Sequence, residues 1–205
     1  RSSLDYGLVY AQSRKVVETL TNGVEGLLNQ AKVEVIKGTA TITGSGEVSV
    51  DGKKTLMAKS ILVATGSQPL KVSGFEFDEE RILSSTGFLS LTELPKRLVI
   101  LGAGAIGCEF GFVMNSFGVD VTLVEAAKHI LPTEDQEIGG LLMRSLTDQG
   151  LTVLDNTTAI SLSKIGVGIA VDIRGPDGNR TINADKALVV FGRKPNTKGL
   201  GLQEM

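Results

Sequence analysis

The sequence predicts an α/β fold in which a parallel sheet with an antiparallel insert is joined to a smaller, β-rich part. Three observations predict it. After Pro95, short apolar runs alternate with helical periodicities, the pattern of a parallel sheet. A glycine-rich turn at 102–107 lies between the first of those runs and the helix that follows. Before residue 70, the β-type runs are separated instead by glycine-bearing turns, as in antiparallel hairpins.

Taken in order, residues 12–30 carry Val16, Val17, Leu20, Val24, Leu27 and Leu28 at helical spacing. Strands are expected at 33–36, 39–43, 47–50 and 55–57, punctuated by Gly38, Gly44, Gly46 and Asp51-Gly52. Residues 60–65 are a continuous apolar run, as a buried strand is, and Pro69 bars its continuation. This part offers few core positions. Residues 70–93 read as irregular, with Asp78-Glu79-Glu80-Arg81 as a solvated loop, and a domain junction falls near Leu94-Pro95. Beyond it come a buried strand at 97–101, a helix at 105–117 and a second strand at 119–124. A second helix at 134–149 presents Ile138, Leu141, Leu142, Ser145 and Leu146 on one face and stops at Gly150. A third strand, 151–154, precedes β-like segments at 159–164, 167–174 and 181–183, the last two joined by Gly175-Pro176-Asp177-Gly178. The apolar run 187–191 suits a central parallel strand. Helices are expected on the faces of this sheet.

Composition narrows the function. Hydrophobic residues make up 41% and charged residues 21% of the 205, which excludes a disordered chain. Against 23 acidic residues stand 21 basic ones, aromatics are 4% and Trp is absent. A nucleic-acid partner is therefore not expected, since neither a basic surplus nor a stacking platform is present. No apolar stretch reaches the roughly 18 residues of a membrane span, and no signal-peptide pattern follows Arg1. The single cysteine, Cys108, can form neither an internal disulfide nor a multi-cysteine metal site. That scarcity fits a reducing compartment, and a cytoplasmic location is expected. No metal site is expected either.

The 25 glycines have one informative cluster. Gly102, Gly104 and Gly107 form G-x-G-x-x-G between an apolar strand and a helix. The first permits a tight turn, the second lets backbone approach a pyrophosphate, and the third lets helix and strand pack closely. The helix N-terminus adds unpaired N–H groups and partial positive charge. Glu125, 125 − 102 = 23 residues on, ends the second strand near the usual interval of about 20. A carboxylate there accepts hydrogen bonds from ribose hydroxyls and repels a 2′-phosphate, so NAD is expected over NADP. Ala126 and Ala127 supply no arginine for such a phosphate, though Lys128 and His129 follow. The plainer alternative is a tight turn with a chance acid. Cys108 reads as a small packed side chain and His129 as a solvated loop residue. Glu109 is by default a surface charge, but its place just after Gly107 turns it toward the same cleft.

The string Gly102-Ala-Gly-Ala-Ile-Gly-Cys-Glu109-Phe-Gly111, with Ala64-Thr-Gly-Ser67 and Phe191-Gly-Arg-Lys-Pro-Asn-Thr197, resembles the flavin-dependent pyridine-nucleotide–disulfide oxidoreductases. With Ile130-Leu-Pro132 and Asp135 included, the dihydrolipoamide dehydrogenase branch is the most similar. The likeness covers nearly all of the chain. It implies a partial FAD-binding domain with a small β-sheet at 1–93, a Rossmann-type, three-layer NAD-binding domain with an antiparallel insert at 94–198, and a return segment at 199–205. It implies that Gly102, Gly104, Ala105 and Ile106 meet the pyrophosphate and the region near the nicotinamide, and that Glu109 approaches the carboxamide. Glu125 would hold the ribose, Ala159 would lie beside the adenine and Gly192 would line the cleft. Ala40, Thr65, Gly66 and Ser67 would touch FAD. In the whole protein, the likeness implies electron transfer from dihydrolipoamide through a disulfide and FAD to NAD+, a 2-oxoacid dehydrogenase complex as partner, and a homodimer. The family's first glycine loop, its redox cysteine pair and its C-terminal His–Glu pair find no match, so no catalytic residue is assigned. The expectation is a chain that binds NAD(H) but holds no FAD, does not oxidise dihydrolipoamide by itself and does not form that homodimer. A sibling flavin disulfide reductase of the mercuric or glutathione type is one alternative. A non-catalytic NAD-sensing module is another, although residues 64–67 and 193–197 have no purpose in it.

Overall fold

The structure is a computed structural model that describes residues 5–203. In chain order its elements are α1 (Tyr6–Gln30), β1 (Ala40–Gly44), β2 (Glu47–Val50), β3 (Lys54–Met57), β4 (Ser67–Pro69) and β5 (Ile82–Leu83). Next come α2 (Ser85–Phe88), β6 (Arg97–Leu101), α3 (Ala105–Ser116), β7 (Asp120–Val124), α4 (Gln136–Asp148) and β8 (Thr152–Leu154). The last are β9 (Thr158–Ile165), β10 (Gly168–Gly175), β11 (Gly178–Ala184), β12 (Lys186–Val189) and β13 (Arg193–Pro195). Two compact units divide the described chain: 69–193 with 5–10, and 11–68 with 194–203. The three internal boundaries fall within α1, β4 and β13, and none falls at Leu94-Pro95, because β5 is hydrogen-bonded to β12 and so ties the stretch after residue 69 to the larger unit.

The larger unit is built on a parallel sheet of order β5-β12-β6-β7-β8. Successive side chains of a strand face opposite ways, and both faces of this sheet are buried. Leu98, Ile100, Val121, Leu123 and Leu188 pack with Phe88 of α2, Cys108 and Met114 of α3 and Leu146 of α4. Val99, Leu101, Ala187 and Val189 pack against Ile169, Val171 and Ile173 of the antiparallel sheet β11-β10-β9. The helices therefore occupy one face only, in contrast to the expectation of helices on its faces. Crossover handedness accounts for this. The steps β5→β6, β6→β7 and β7→β8 run the same way across the sheet, so right-handed connections put α2, α3 and α4 on one side. The step from β8 back to β12 runs the other way, and its connection, β9–β11, must cover the opposite side.

Three local expectations need correction. On α4 the buried positions are Gly139 and Leu146, with Leu142 and Met143 half-buried, while Ile138 and Leu141 are about half exposed. A Cβ on Gly139 would come 2.6 Å from the Ile130 carbonyl oxygen, so the helix turns its smallest residue to the tightest contact. Residues 33–36 and 60–65 form no strand, and Leu62 is 91% exposed. A strand requires hydrogen-bonded neighbours, and none of the described sheets includes these runs. Asp78–Arg81 is not a solvated loop. The Asp78 carboxylate accepts the backbone N–H groups of Glu80, Arg81 and Ile82, each at 2.9 Å, and pairs with Lys164 of β9. Arg81 donates to the carbonyls of Gly166 (2.9 Å) and Gly168 (3.3 Å), so the segment staples β5 to the β9–β10 hairpin.

The smaller unit holds the antiparallel sheet β1-β2-β3. Asp51 and Gly52, both at positive φ, make the β2–β3 turn. Val50 is its only buried apolar side chain among the described residues, which fits the scarcity of core positions expected there. Along α1, the stripe Val16, Val17, Leu20, Val24 and Leu27 is exposed. No described helix is long and apolar enough to cross a membrane.

Two outcomes check this packing. Leu146→Ala should cost about 2–5 kcal/mol of unfolding free energy in urea, and Leu141→Ala less than about 0.5 kcal/mol. Burial alone would raise the Asp78 carboxyl, but Lys164 and three backbone donors outweigh it and hold it well below the usual carboxylate range. A depressed folded-state value stabilises at pH above the unfolded value of 3.8 and is lost as acid protonates the group. Wild type should therefore exceed Asp78→Asn in stability at pH 7, and that advantage should shrink progressively below about pH 4.

Candidate functional site

The site starts where β6 ends. Gly102 has φ +107°, and a Cβ there would come 2.6 Å from the Val190 carbonyl oxygen, so the turn is closed to other residues. A Cβ on Gly107 would overlap the Gly102 carbonyl, which is how α3 lies so close to β6. Around Gly104 there is open space. Gly104 is also the N-cap of α3 and contributes no side-chain hydrogen bond, whereas Ser84 caps α2 and Asp135 caps α4. The first N–H groups of α3 thus lack partners within the helix and carry the positive end of its dipole. That is a backbone cradle for an anionic group, reachable because Gly104 has no side chain.

Glu125 follows β7 directly. Its Oε2 accepts the Ala103 N–H at 2.7 Å and its Oε1 accepts the Ala127 N–H at 2.8 Å. The carboxylate thereby bridges the turn after β6 and the turn after β7, and each oxygen keeps acceptor capacity. Beside it opens a cleft of about 590 Å³ lined by Gly102, Gly104, Glu125, Ala159 and Gly192 among the expected residues. Ala105 is exposed and Ile106 half-buried in the first turn of α3, where their contribution is backbone N–H groups. Glu109 lies elsewhere: it is exposed and lines a smaller, apolar groove with Cys108, Phe112 and Leu142.

Sequence reasoning missed much of the cleft wall. Val72, Phe75, Pro132, Thr133, Thr157, Val190 and Phe191 also line it. Phe191 adjoins Gly192 and could have been found from that adjacency. Phe75 lies in the stretch read as irregular, and no local signal marks it. Its ring stands edge-on to that of Phe191, with centroids 5.2 Å apart and planes at 87°. His129 is half-buried, with Nδ1 2.9 Å from the Ile130 carbonyl oxygen, so it is not a solvated loop residue. That carbonyl can only accept, which makes Nδ1 the protonated nitrogen.

The four flavin-side residues lie in the smaller unit. Thr65 Oγ1 donates to the Asn196 carbonyl at 2.6 Å, and Gly66 accepts the Asn196 N–H at 3.0 Å. Ala40 is paired with Val50 across β1 and β2, and Ser67 opens β4. A depression of about 380 Å³ in this unit is lined by Gln68, Lys194, Pro195, Asn196, Thr197, Lys198 and Gln203, and by none of those four. No cluster of three or more His, Cys, Asp or Glu suited to a metal occurs among the described residues.

Comparison with known proteins places this geometry in context. Residues 2–205 match the family described as pyridine nucleotide-disulphide oxidoreductase. The chain is 40% identical to a leghemoglobin reductase of Vigna unguiculata over 98% of its own length and 40% of the relative's. It is 39% identical to a mitochondrial dihydrolipoyl dehydrogenase of Pisum sativum, covering 98% of this chain and 42% of that protein. Among solved structures, LpdA from Mycobacterium tuberculosis superposes with a TM-score of 0.86 at 29% identity, over 100% of this chain and 46% of that one. The flavoprotein disulfide reductase RclA from Escherichia coli gives 0.80 at 30% identity, over 98% and 46%. The chain spans less than half the length of these relatives.

The only thiol, Cys108, is buried on α3 with Sγ 3.4 Å from the Ala103 carbonyl oxygen. Burial, reinforced by the charges of Glu125 and Glu109, pushes it up to about 11. A thiol held protonated and out of solvent is a poor nucleophile. Ellman's reagent at pH 8 should leave Cys108 unmodified in the folded chain and titrate one thiol after denaturation.

Proposed function

The chain belongs to the pyridine nucleotide-disulphide oxidoreductase family, and from that premise we propose that it is the NAD(H)-binding part of a dihydrolipoamide dehydrogenase. The observation that carries the proposal is the pairing of an uncapped α3 N-terminus with the Glu125 carboxylate on one cleft. Backbone N–H groups of the 104–107 turn hold the pyrophosphate, and Gly104 leaves the space for it. Glu125 accepts the adenosine ribose hydroxyls while Ala103 and Ala127 keep its carboxylate aimed. Ala159 lies at the adenine side of the cleft and Gly192 at the other end. Bound there, the nicotinamide supplies hydride-accepting chemistry; the chain's residues bind and orient it.

In this reading the whole enzyme carries electrons from dihydrolipoamide by way of a disulfide and FAD to NAD+. It works as a cytoplasmic homodimer within a 2-oxoacid dehydrogenase complex. The likeness to dihydrolipoyl dehydrogenases over almost the whole chain supports that substrate. The likeness to RclA supports a sibling flavoprotein disulfide reductase as the second reading. Both assign the same task to this cleft.

Fluorescence titration of the full chain should show NADH binding, with NADPH at least about tenfold weaker, since a carboxylate facing a 2′-phosphate forfeits a charged contact. Glu125→Gln keeps an acceptor for Ala103 while removing the charge, and should narrow that preference severalfold. Equal affinity for the two nucleotides in wild type would remove Glu125 from this role. No binding of either would remove the cleft from consideration.

A further inference from the structure

Phe191 and Phe75 are the two aromatic side chains in a cleft whose other lining is glycine, alanine, threonine, valine, Pro132 and Glu125. They are not equivalent. Phe75 is 9% exposed and packs with Ile82, Val99 and Ala187 under the sheet, whereas Phe191 is 39% exposed at the rim of the cleft. The edge-on contact between the rings holds the exposed one in a defined orientation, since such pairs prefer this geometry. Phe191 also follows Val190, whose carbonyl blocks any side chain at Gly102, so its backbone is fixed against the glycine loop.

Strand order assigns this ring a place along a bound dinucleotide. Glu125 ends β7 on one side of β6, and Phe191 follows β12 on the other. Neighbouring strands lie about 4.8 Å apart, so the two residues flank the glycine loop from opposite sides, roughly 10 Å apart in the sheet direction. A dinucleotide with one ribose at Glu125 and its pyrophosphate on the start of α3 must send its second half over the end of β12. On the reading that the cleft binds NAD(H), we infer that Phe191, buttressed by Phe75, is a positioning residue for the nicotinamide-bearing half. Its ring offers an apolar surface to the uncharged dihydronicotinamide of NADH, and Gly192 beyond it leaves room for that base. The adenosine half, engaged at Glu125 and Ala159, does not reach it.

The test compares NADH with ADP-ribose, which keeps the adenosine, the pyrophosphate and the second ribose but lacks the nicotinamide. With the full chain, NADH is followed by fluorescence and ADP-ribose by calorimetry. Phe191→Ala should weaken NADH about five- to tenfold and leave ADP-ribose within about twofold, while Phe191→Tyr, which keeps the ring, should restore NADH binding. Retained ADP-ribose affinity shows in the same experiment that the variant is folded. Unchanged NADH affinity in Phe191→Ala, or an equal loss for both ligands, overturns the inference. A wild-type chain that binds ADP-ribose but gains nothing from the nicotinamide also overturns it, with the Glu125 site left standing. A wild type that binds neither overturns the reading of the cleft and this inference with it.

Discussion

Backbone segments crowd one another where β6 turns into α3, and the site is a consequence of it. Val190 crowds Gly102 from one side and the Gly102 carbonyl crowds Gly107 from the other. Two positions without side chains therefore let a helix start against the end of a central strand, with its first N–H groups directed into open space. Glu125 completes the arrangement by accepting Ala103 N–H from that turn and Ala127 N–H from the next. A single carboxylate thus does two things, fixing the backbone cradle and presenting negative charge beside it. Because these roles share one group, removing the carboxylate also releases the two turns that it joins.

The direction of chain travel places the cleft. β7 and β8 are added on one side of β6, and β12 and β5 lie on the other, so the connection leaving β6 and the connection entering β12 cover opposite faces. A crevice opens at the carboxyl ends of strands where the order reverses in this way. Gly102 and Gly104 after β6 and Val190–Gly192 after β12 are its two banks. The β9–β11 sheet covers the face that the helices leave open, and its first strand supplies Thr158 and Ala159 to the same cleft. The antiparallel insert is thereby both a core layer and a wall of the site.

Much of this was legible in residues 97–107 and 187–192, where apolar runs and glycines coincide and burial on both faces leaves few alternatives. The position of Glu125 beside the glycine loop was legible from its interval alone. The inner face of α4 was not. Ile138 and Leu141 dominate the apolar pattern, yet the position next to the Ile130 carbonyl has to be glycine, and that proximity is set by tertiary packing. Residues 60–65 and 33–36 have strand-like composition, but a strand is a property of a pair, and the sequence of one member does not show whether its neighbour is at hand. Asp78 looked like a solvated charge because its backbone donors lie only two to four residues away, in a turn that no periodicity announces. Phe75 reaches the cleft by the path of an irregular segment, so its contact with Phe191, 116 residues later, could not be read locally.

The two units also differ in how far each can define its own surface. Every residue lining the Glu125 cleft falls between 72 and 192, inside the unit with two buried clusters, so its geometry is fixed by a packed core. In the smaller unit Val50 is the only buried apolar side chain described, and the stripe on α1 and the run at 60–65 remain open to solvent. Stability in a domain of this size comes mainly from burial of apolar area. It follows that the cradle at 102–107 gains its rigidity from the sheet beneath it, whereas Ala40, Thr65, Gly66 and Ser67 are held by backbone pairing and by Asn196 with little core behind them. The donors, the carboxylate and the aromatic wall of the cleft accordingly rest on the core of the larger unit.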